Sequence, residues 1–243
     1  APGLARTPIF ADSIAITDWY MDSHACTNES RPGFHYDGKL ILTEESRPAQ
    51  IPYRALLPQG VDNLLVPVCL SATHVAWGAI RLEPVWMSTG EAAGFAAALA
   101  KRKKTTPAQL DADLLVRTLV ERRQLVSFFN DVKVDAPDAS IPAAEYFATR
   151  GFFHDYNARL GEPLKTATAK AWAGGLEKLR AGQLDPNALA HAVAEAEQTE
   201  GAITAADFAA LLPAHAQPAA GSSANGFTRG AALVQMWDFI HSN

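Results

Sequence analysis

Cysteine, long apolar runs and excess positive charge are all scarce in this sequence. Only Cys26 and Cys69 occur among 243 residues, so at most one disulfide could form, and neither lies in a paired-cysteine metal or redox motif. They point to no compartment. No apolar run approaches the roughly 18 residues that would span a bilayer, and no basic segment leads into an apolar stretch with a cleavage signature. Neither a membrane span nor a signal peptide is expected. Lysine and arginine total 21 against 26 acidic residues, a formal charge of -5. That balance leaves no broad basic face, so nucleic acid is not an expected partner. The one dense cluster, Lys101-Arg102-Lys103-Lys104, follows a long helical pattern, where cations suit a helix C-terminus.

Apolar residues make up 48% of the chain, enough for one large domain or two ordinary ones. The sequence starts at Ala1 and enters strand-like sequence almost at once, which suggests a processed or truncated start. Short β-type runs follow: SIAIT, YDGKLILT, QIPYRALLP and NLLVPV, separated by turn residues. From Pro84 the Ala-rich run to Lys104 predicts a buried helix with Pro in its first turn. A second helix is expected from Thr106, as N-cap, through AQLDADLLVRTLVERRQ. Near Asn130 the composition changes, and NDVKVDAPDAS reads as a linker. Beyond it the pattern predicts helices at about 141–150, 166–181, 186–198, 204–212 and 228–241, with a capping box at Thr204 and Asp207 and an N-cap at Thr228. Phe128, Phe129, Phe152 and Phe153 are expected to tie this part to the first, and the small polar stretch from His215 to Gly226 reads as a loop. The fold class expected is α+β: a strand-rich region over 1–130, then an all-α extension over 131–243.

The extension contains a weak internal echo. PLKTATAKAWAGGL, AITAADFAALL and GFTRGAALVQMW each put an apolar residue and a Thr ahead of a small-residue helix. This arrangement resembles degenerate S-layer-homology-type repeats. Generic Ala-rich helical hairpins explain it equally.

The segment from Ile51 to Ala100 carries the chemistry. It reads as a buried strand from Asn63 to Pro67, an irregular loop with Ser, Thr, Gly and His74, then Arg81 and Glu83 beside a helix start. Such a helix N-terminus presents unpaired N–H groups and partial positive charge to an electron-rich group. IPYRALLP, G-x-x-NLLV, LSATHxAxGxIRxEP and the M-x-x-G-x-AAG-x-AA helix follow one another in order, with DSHACT upstream at Asp22 to Thr27. Over about residues 10–125 this series resembles the C-terminal part of FAD-dependent oxidoreductases of the glutathione-reductase-like superfamily.

The resemblance implies FAD, with the helix after Pro84 facing the pyrimidine edge of the isoalloxazine. Gly78, Ile80, Arg81, Glu83, Pro84, Val85 and Trp86 would then lie against the cofactor, and Trp77 could help wall its pocket. Members of the family carry a G-x-G-x-x-G turn for the pyrophosphate, and this sequence has none. The AMP half of FAD thus lacks a home. The implied partner is an N-terminal FAD-binding chain or segment carrying that turn, whether the chain is a fragment or one subunit of a heteromer.

Single residues keep two readings each. His74 is either a general base near the flavin or a structural His bonded to backbone, and His24 has the same two readings. Tyr53 and Arg54 would point to opposite faces of a strand, so Tyr53 either faces substrate or is a buried Tyr with a satisfied hydroxyl. Arg81 and Glu83 share strand-like parity: either Arg81 lies near the flavin or a bound carboxylate with Glu83 fixing it, or the two form a plain salt bridge that holds the loop. Gly90 and Gly94 share a helix face suited to close packing. No metal is expected: His154, Asp155 and Tyr156 are too few ligands. The function expected is the substrate side of an FAD-dependent oxidoreductase that moves hydride from a polar small molecule to flavin. The alternative is a non-catalytic module binding a cell envelope or a partner.

Overall fold

The computed structural model describes residues 4–25, 32, 40–43, 46–213 and 226–241. It contains four short strands and eight α-helices among these residues, an α+β fold with an α-rich part. The chain divides into two compact units: residues 12–119, and residues 1–11 together with 120–243. No helix among the described residues is long and apolar enough to cross a membrane.

In the unit formed by residues 12–119, β1 (Ser13–Thr17) pairs antiparallel with β4 (Ala49–Pro52), and β2 (Met21–Ser23) pairs antiparallel with β3 (Leu40–Leu42). The β1–β4 register shifts between Ser13 and Ala15, a bulge that falls where Tyr53 N–H bonds the Asp12 carbonyl. Two helices cover these ribbons: α1 (His74–Ile80) packs on β2, and α2 (Glu83–Lys103) packs on β1. Val85, Thr89, Ala92, Ala93, Ala96, Leu99 and Ala100 form the buried stripe of α2 at helical spacing. The helix ends with Lys104 in the left-handed conformation at φ 55, after the basic residues Lys101, Arg102 and Lys103.

Several sequence expectations are corrected here. Asn63–Pro67 forms no strand: it pairs with no strand among the described residues, Leu64 is 47% exposed, and the segment is irregular, with a single backbone bond from Val66 N–H to the Leu56 carbonyl. Tyr53 and Arg54 lie in a 3-10 turn, Tyr53–Leu56, so strand alternation does not apply to them. His74 is the first residue of α1, not a loop residue, and Arg81 is the C-cap of that helix while Glu83 opens α2, so strand-like parity does not apply to the two. The helix expected from Thr106 is broken. Pro107–Gln109 is a 3-10 turn, Thr106 makes no side-chain cap, and α3 (Ala112–Glu121) starts afresh where Asp111 accepts the N–H of Asp113. A Cβ on Gly90 or Gly94 would meet nothing within 4 Å, so close packing does not explain either glycine.

The other unit is built from α4 (Ser140–Ala148), α5 (Thr166–Arg180), α6 (Pro186–Ala196), α7 (Ala205–Leu211) and α8 (Arg229–His241). Two local signals work as expected: Thr204 accepts from Asp207 N–H, and Thr228 accepts from Ala231 N–H; Asp185, not singled out in the sequence, caps α6 ahead of Pro186. The three echoed segments converge. Leu164 N–H donates to the Phe227 carbonyl, Ile203 N–H donates to the Leu164 carbonyl, and the apolar residue of each segment is buried. Phe152 and Phe153 pack against Trp172, whose indole N–H donates to the Phe152 carbonyl at 2.8 Å, and Phe129 packs edge-on against Phe153. Buried Arg229 lies over the rings of Trp172 and Phe153 and pairs with Glu197. Of the loop expected at His215 to Gly226, only Gly226 is among the described residues, and Cys26 and Thr27 of the upstream motif lie outside them.

Candidate active site

The geometry of the site starts from Gly78. In the middle of α1, this glycine abuts the backbone of Asp22 on β2: a Cβ there would stand 2.6 Å from the Asp22 carbonyl oxygen and 2.9 Å from its nitrogen. Real Cβ atoms do not come that close, so helix and strand meet at a distance only glycine allows. This approach sets the two ends of α1 against β2. At its start, where Thr73 caps the helix by accepting from Ala76 N–H at 3.1 Å, the His74 imidazole Nε2 lies 2.7 Å from the Ser23 hydroxyl. At its end, Arg81 Nη2 donates to Asp22 Oδ2 at 3.1 Å, and Arg81 Nε reaches the Asp22 carbonyl at 3.4 Å.

The other Asp22 oxygen, Oδ1, is 3.3 Å from His24 Nε2, whose side chain is 75% exposed. Asp22, Ser23, His24, His74, Trp77, Gly78 and Arg81 line one cleft of about 310 Å³. Trp77 also contacts Trp86, with ring centroids 6.3 Å apart. The cleft pairs its one carboxylate with its one guanidinium and otherwise offers imidazoles, a hydroxyl and an aromatic face. It suits a neutral, hydrogen-bonding molecule better than a strongly charged one.

Of the residues the sequence singles out, the structure brings His74, His24, Gly78 and Arg81 together, with Trp77. Tyr53 is not among the cleft's lining residues: it is buried, its hydroxyl donates to the Pro107 carbonyl at 2.8 Å, and burial pushes its pKa up to about 12. Ile80 and Val85 are buried, while Glu83 and Pro84 are exposed at the start of α2. In that first turn the N–H groups of Val85 and Trp86 both donate to the Leu82 carbonyl, and Pro84 has none to offer. Asp22 and Ser23 line the same cleft, and single-residue reading did not pick them out. The signal available for them was their place beside His24 in one polar triplet inside an otherwise strand-like run.

Residues 4–120 match the family model described as FAD dependent oxidoreductase. The match covers the whole 12–119 unit, cleft included. It supports an FAD-dependent oxidoreductase component, and the family implies FAD as cofactor. No curated protein and no solved structure matches the chain.

The residues present fit the ring end of such a cofactor. The Trp86 indole N–H is buried without an acceptor among the described residues, beside the Trp77 ring that lines the cleft. A flavin's carbonyl and ring-nitrogen acceptors are the chemistry that donor lacks, and Arg81, in the cleft lining, would be the cation available to the ring's electron-rich edge. No cluster of His, Cys, Asp or Glu suited to a metal ion occurs among the described residues, His154 with Asp155 included.

Proposed function

We propose that the 12–119 unit forms the substrate side of an FAD-dependent oxidoreductase of glutathione-reductase type, acting on a neutral, polar alcohol or amine. The observation that carries this reading is the meeting of Ser23, His24, His74 and Arg81 in one cleft inside the family-matching segment. Bound FAD supplies the two-electron acceptor for the substrate's C–H hydride. The chain's own groups do the rest. His74, exposed at the head of α1, takes the proton that the hydroxyl or amine must lose as its carbon is oxidised, with His24 as the second imidazole of the cleft. Arg81, held by Asp22, keeps a fixed positive charge beside the reaction, and Trp77 gives substrate or cofactor a flat face.

The partner in this reading is an N-terminal FAD-binding segment or chain that brings a glycine-rich pyrophosphate turn. Exposed apolar residues in this unit support it: Met87 is 73% exposed, Leu64 47%, Val61 46%, Val68 45% and Val75 41%. The test is purification of the protein in its native assembly, with absorption spectroscopy and intact mass analysis. A yellow sample with a flavin spectrum and a companion polypeptide or longer chain carrying the turn is expected. A single colourless species of this length overturns the reading.

A second reading, a non-catalytic module that binds a cell envelope or partner, draws on the helical unit. The convergence of its three Thr-led segments on Leu164 is the observation in its favour, as it is the arrangement an S-layer-homology-like repeat would need.

A further inference from the structure

Ser23 closes β2 as a buried residue, and its hydroxyl engages Nε2 of His74 at 2.7 Å. A serine hydroxyl can donate to a bare imidazole nitrogen or accept from a protonated one, and the two cases leave opposite nitrogens basic. The surroundings decide between them. His74 is exposed while Ser23 is buried, so a molecule entering the cleft meets the imidazole from the side that Ser23 does not hold. The nitrogen left for it is Nδ1, which has no partner among the described residues. Nδ1 can take a proton only if the resting proton sits on Nε2. Where a catalytic imidazole is steered by a carboxylate, that group fixes the tautomer. Here the carboxylate of the cleft, Asp22, pairs with Arg81 through Oδ2, and its Oδ1 lies 3.3 Å from His24 Nε2; His74 bonds Ser23 instead.

We infer that Ser23 is the positioning residue of this site: its oxygen accepts the Nε2–H of His74 and holds the ring in the tautomer whose Nδ1 is basic. The inference rests on the reading of His74 as the proton acceptor. The backbone supports it, because the Gly78–Asp22 approach fixes the strand that carries Ser23 against the helix that carries His74. When Nδ1 takes the substrate proton, Nε2–H remains bonded to Ser23, so the imidazolium forms without the ring turning, and the proton later leaves Nδ1 to water.

The experiment is a long-range proton–nitrogen NMR spectrum of the full chain with nitrogen-labelled histidine, in mildly alkaline buffer. The His74 signals are assigned by their loss in His74→Gln. The wild type should show a protonated Nε2, a bare Nδ1 and an Nε2–H proton protected from solvent exchange. Ser23→Ala should speed that exchange about tenfold or more, the scale of one hydrogen bond, and mix the tautomers, whereas Ser23→Thr should keep the wild-type pattern. A bare Nε2 in the wild type overturns the proposal whether or not either variant folds, and so does an unchanged Ser23→Ala spectrum. This readout needs no flavin. Undiminished substrate oxidation by His74→Gln in the complete enzyme would instead sink the proton-acceptor reading and leave the tautomer assignment standing.

Discussion

Arg6 donates to the hydroxyl of Ser127 at 3.0 Å across 121 residues of sequence, with the arginine only 3% exposed. The same guanidinium lies over the Tyr156 ring and reaches the Asp155 carbonyl at 3.4 Å. Two further ties flank it. Thr7 N–H bonds the Tyr156 hydroxyl, and Ile9 exchanges two hydrogen bonds with the side chain of Asn187. Residues 4–11 therefore belong to the helical unit, with Leu4, Arg6 and Ile9 buried in it.

Replacing Arg6 with Ala should destabilise the helical unit by about 2–3 kcal/mol, the scale for hydrogen bonds to a buried charged group. Arg6→Met should recover the packing share of that loss. Urea unfolding of the full chain measures both, and an unchanged midpoint in Arg6→Ala would show that the segment is not tied down.

Glu145 should make stability depend on pH. Its Oε2 accepts the N–H groups of Val126 and Ser127 at 3.1 and 2.8 Å, yet full burial pushes its pKa up from 4.5 to about 8. The folded state therefore holds a proton that the unfolded chain releases. The stability this contributes is complete below about pH 4.5 and is lost as pH rises toward about 8, because the folded state binds more protons over that window. In Glu145→Gln this group's share of the slope should vanish, so the variant gains on the wild type as pH climbs from about 5 to 8. Parallel unfolding curves across that range would show the carboxyl to be ionised in the native state.

Gly78→Ala should disturb the cleft more than the rest of the fold. The new methyl group would press on the Asp22 backbone, which cannot move aside as a flexible side chain could, and overpacking of this kind costs about 1–3 kcal/mol. The expected signature is loss of the His74 Nε2–H signal together with a lowered melting temperature. A variant with the wild-type histidine spectrum would mean that helix and strand can separate without consequence.

His74→Ala in the complete, flavin-loaded enzyme should slow reduction of the cofactor by substrate roughly 100-fold or more while the flavin stays bound. Rapid-mixing absorbance at the flavin band follows it. Unchanged reduction kinetics would remove His74 from the chemistry.

The helical unit was legible because its signals are local. Thr204 before Asp207 and Thr228 before the last helix each make a bond within three residues, and the observed helices start directly after them. The apolar run at Asn63–Pro67 misled for the opposite reason: a strand exists only when another pairs with it, and none does among the described residues. The family-like motifs pointed to the segment that the family model matches and to His24, His74, Gly78 and Arg81, which line one cleft. They were silent on why those residues matter to one another, since Ser23 meets His74 across 51 positions and Arg81 meets Asp22 across 59.

Composition, capping residues and motif order by themselves determined the α+β class, the helices beyond residue 140 and the FAD-linked segment, because each depends on neighbours a few residues apart. Tertiary structure alone decided that α1 lies on β2, that Tyr53 is spent on the Pro107 carbonyl, and that residues 4–11 serve the helical unit. Those outcomes depend on which distant surfaces bury one another, and a contact between distant residues leaves no mark on the spacing of either.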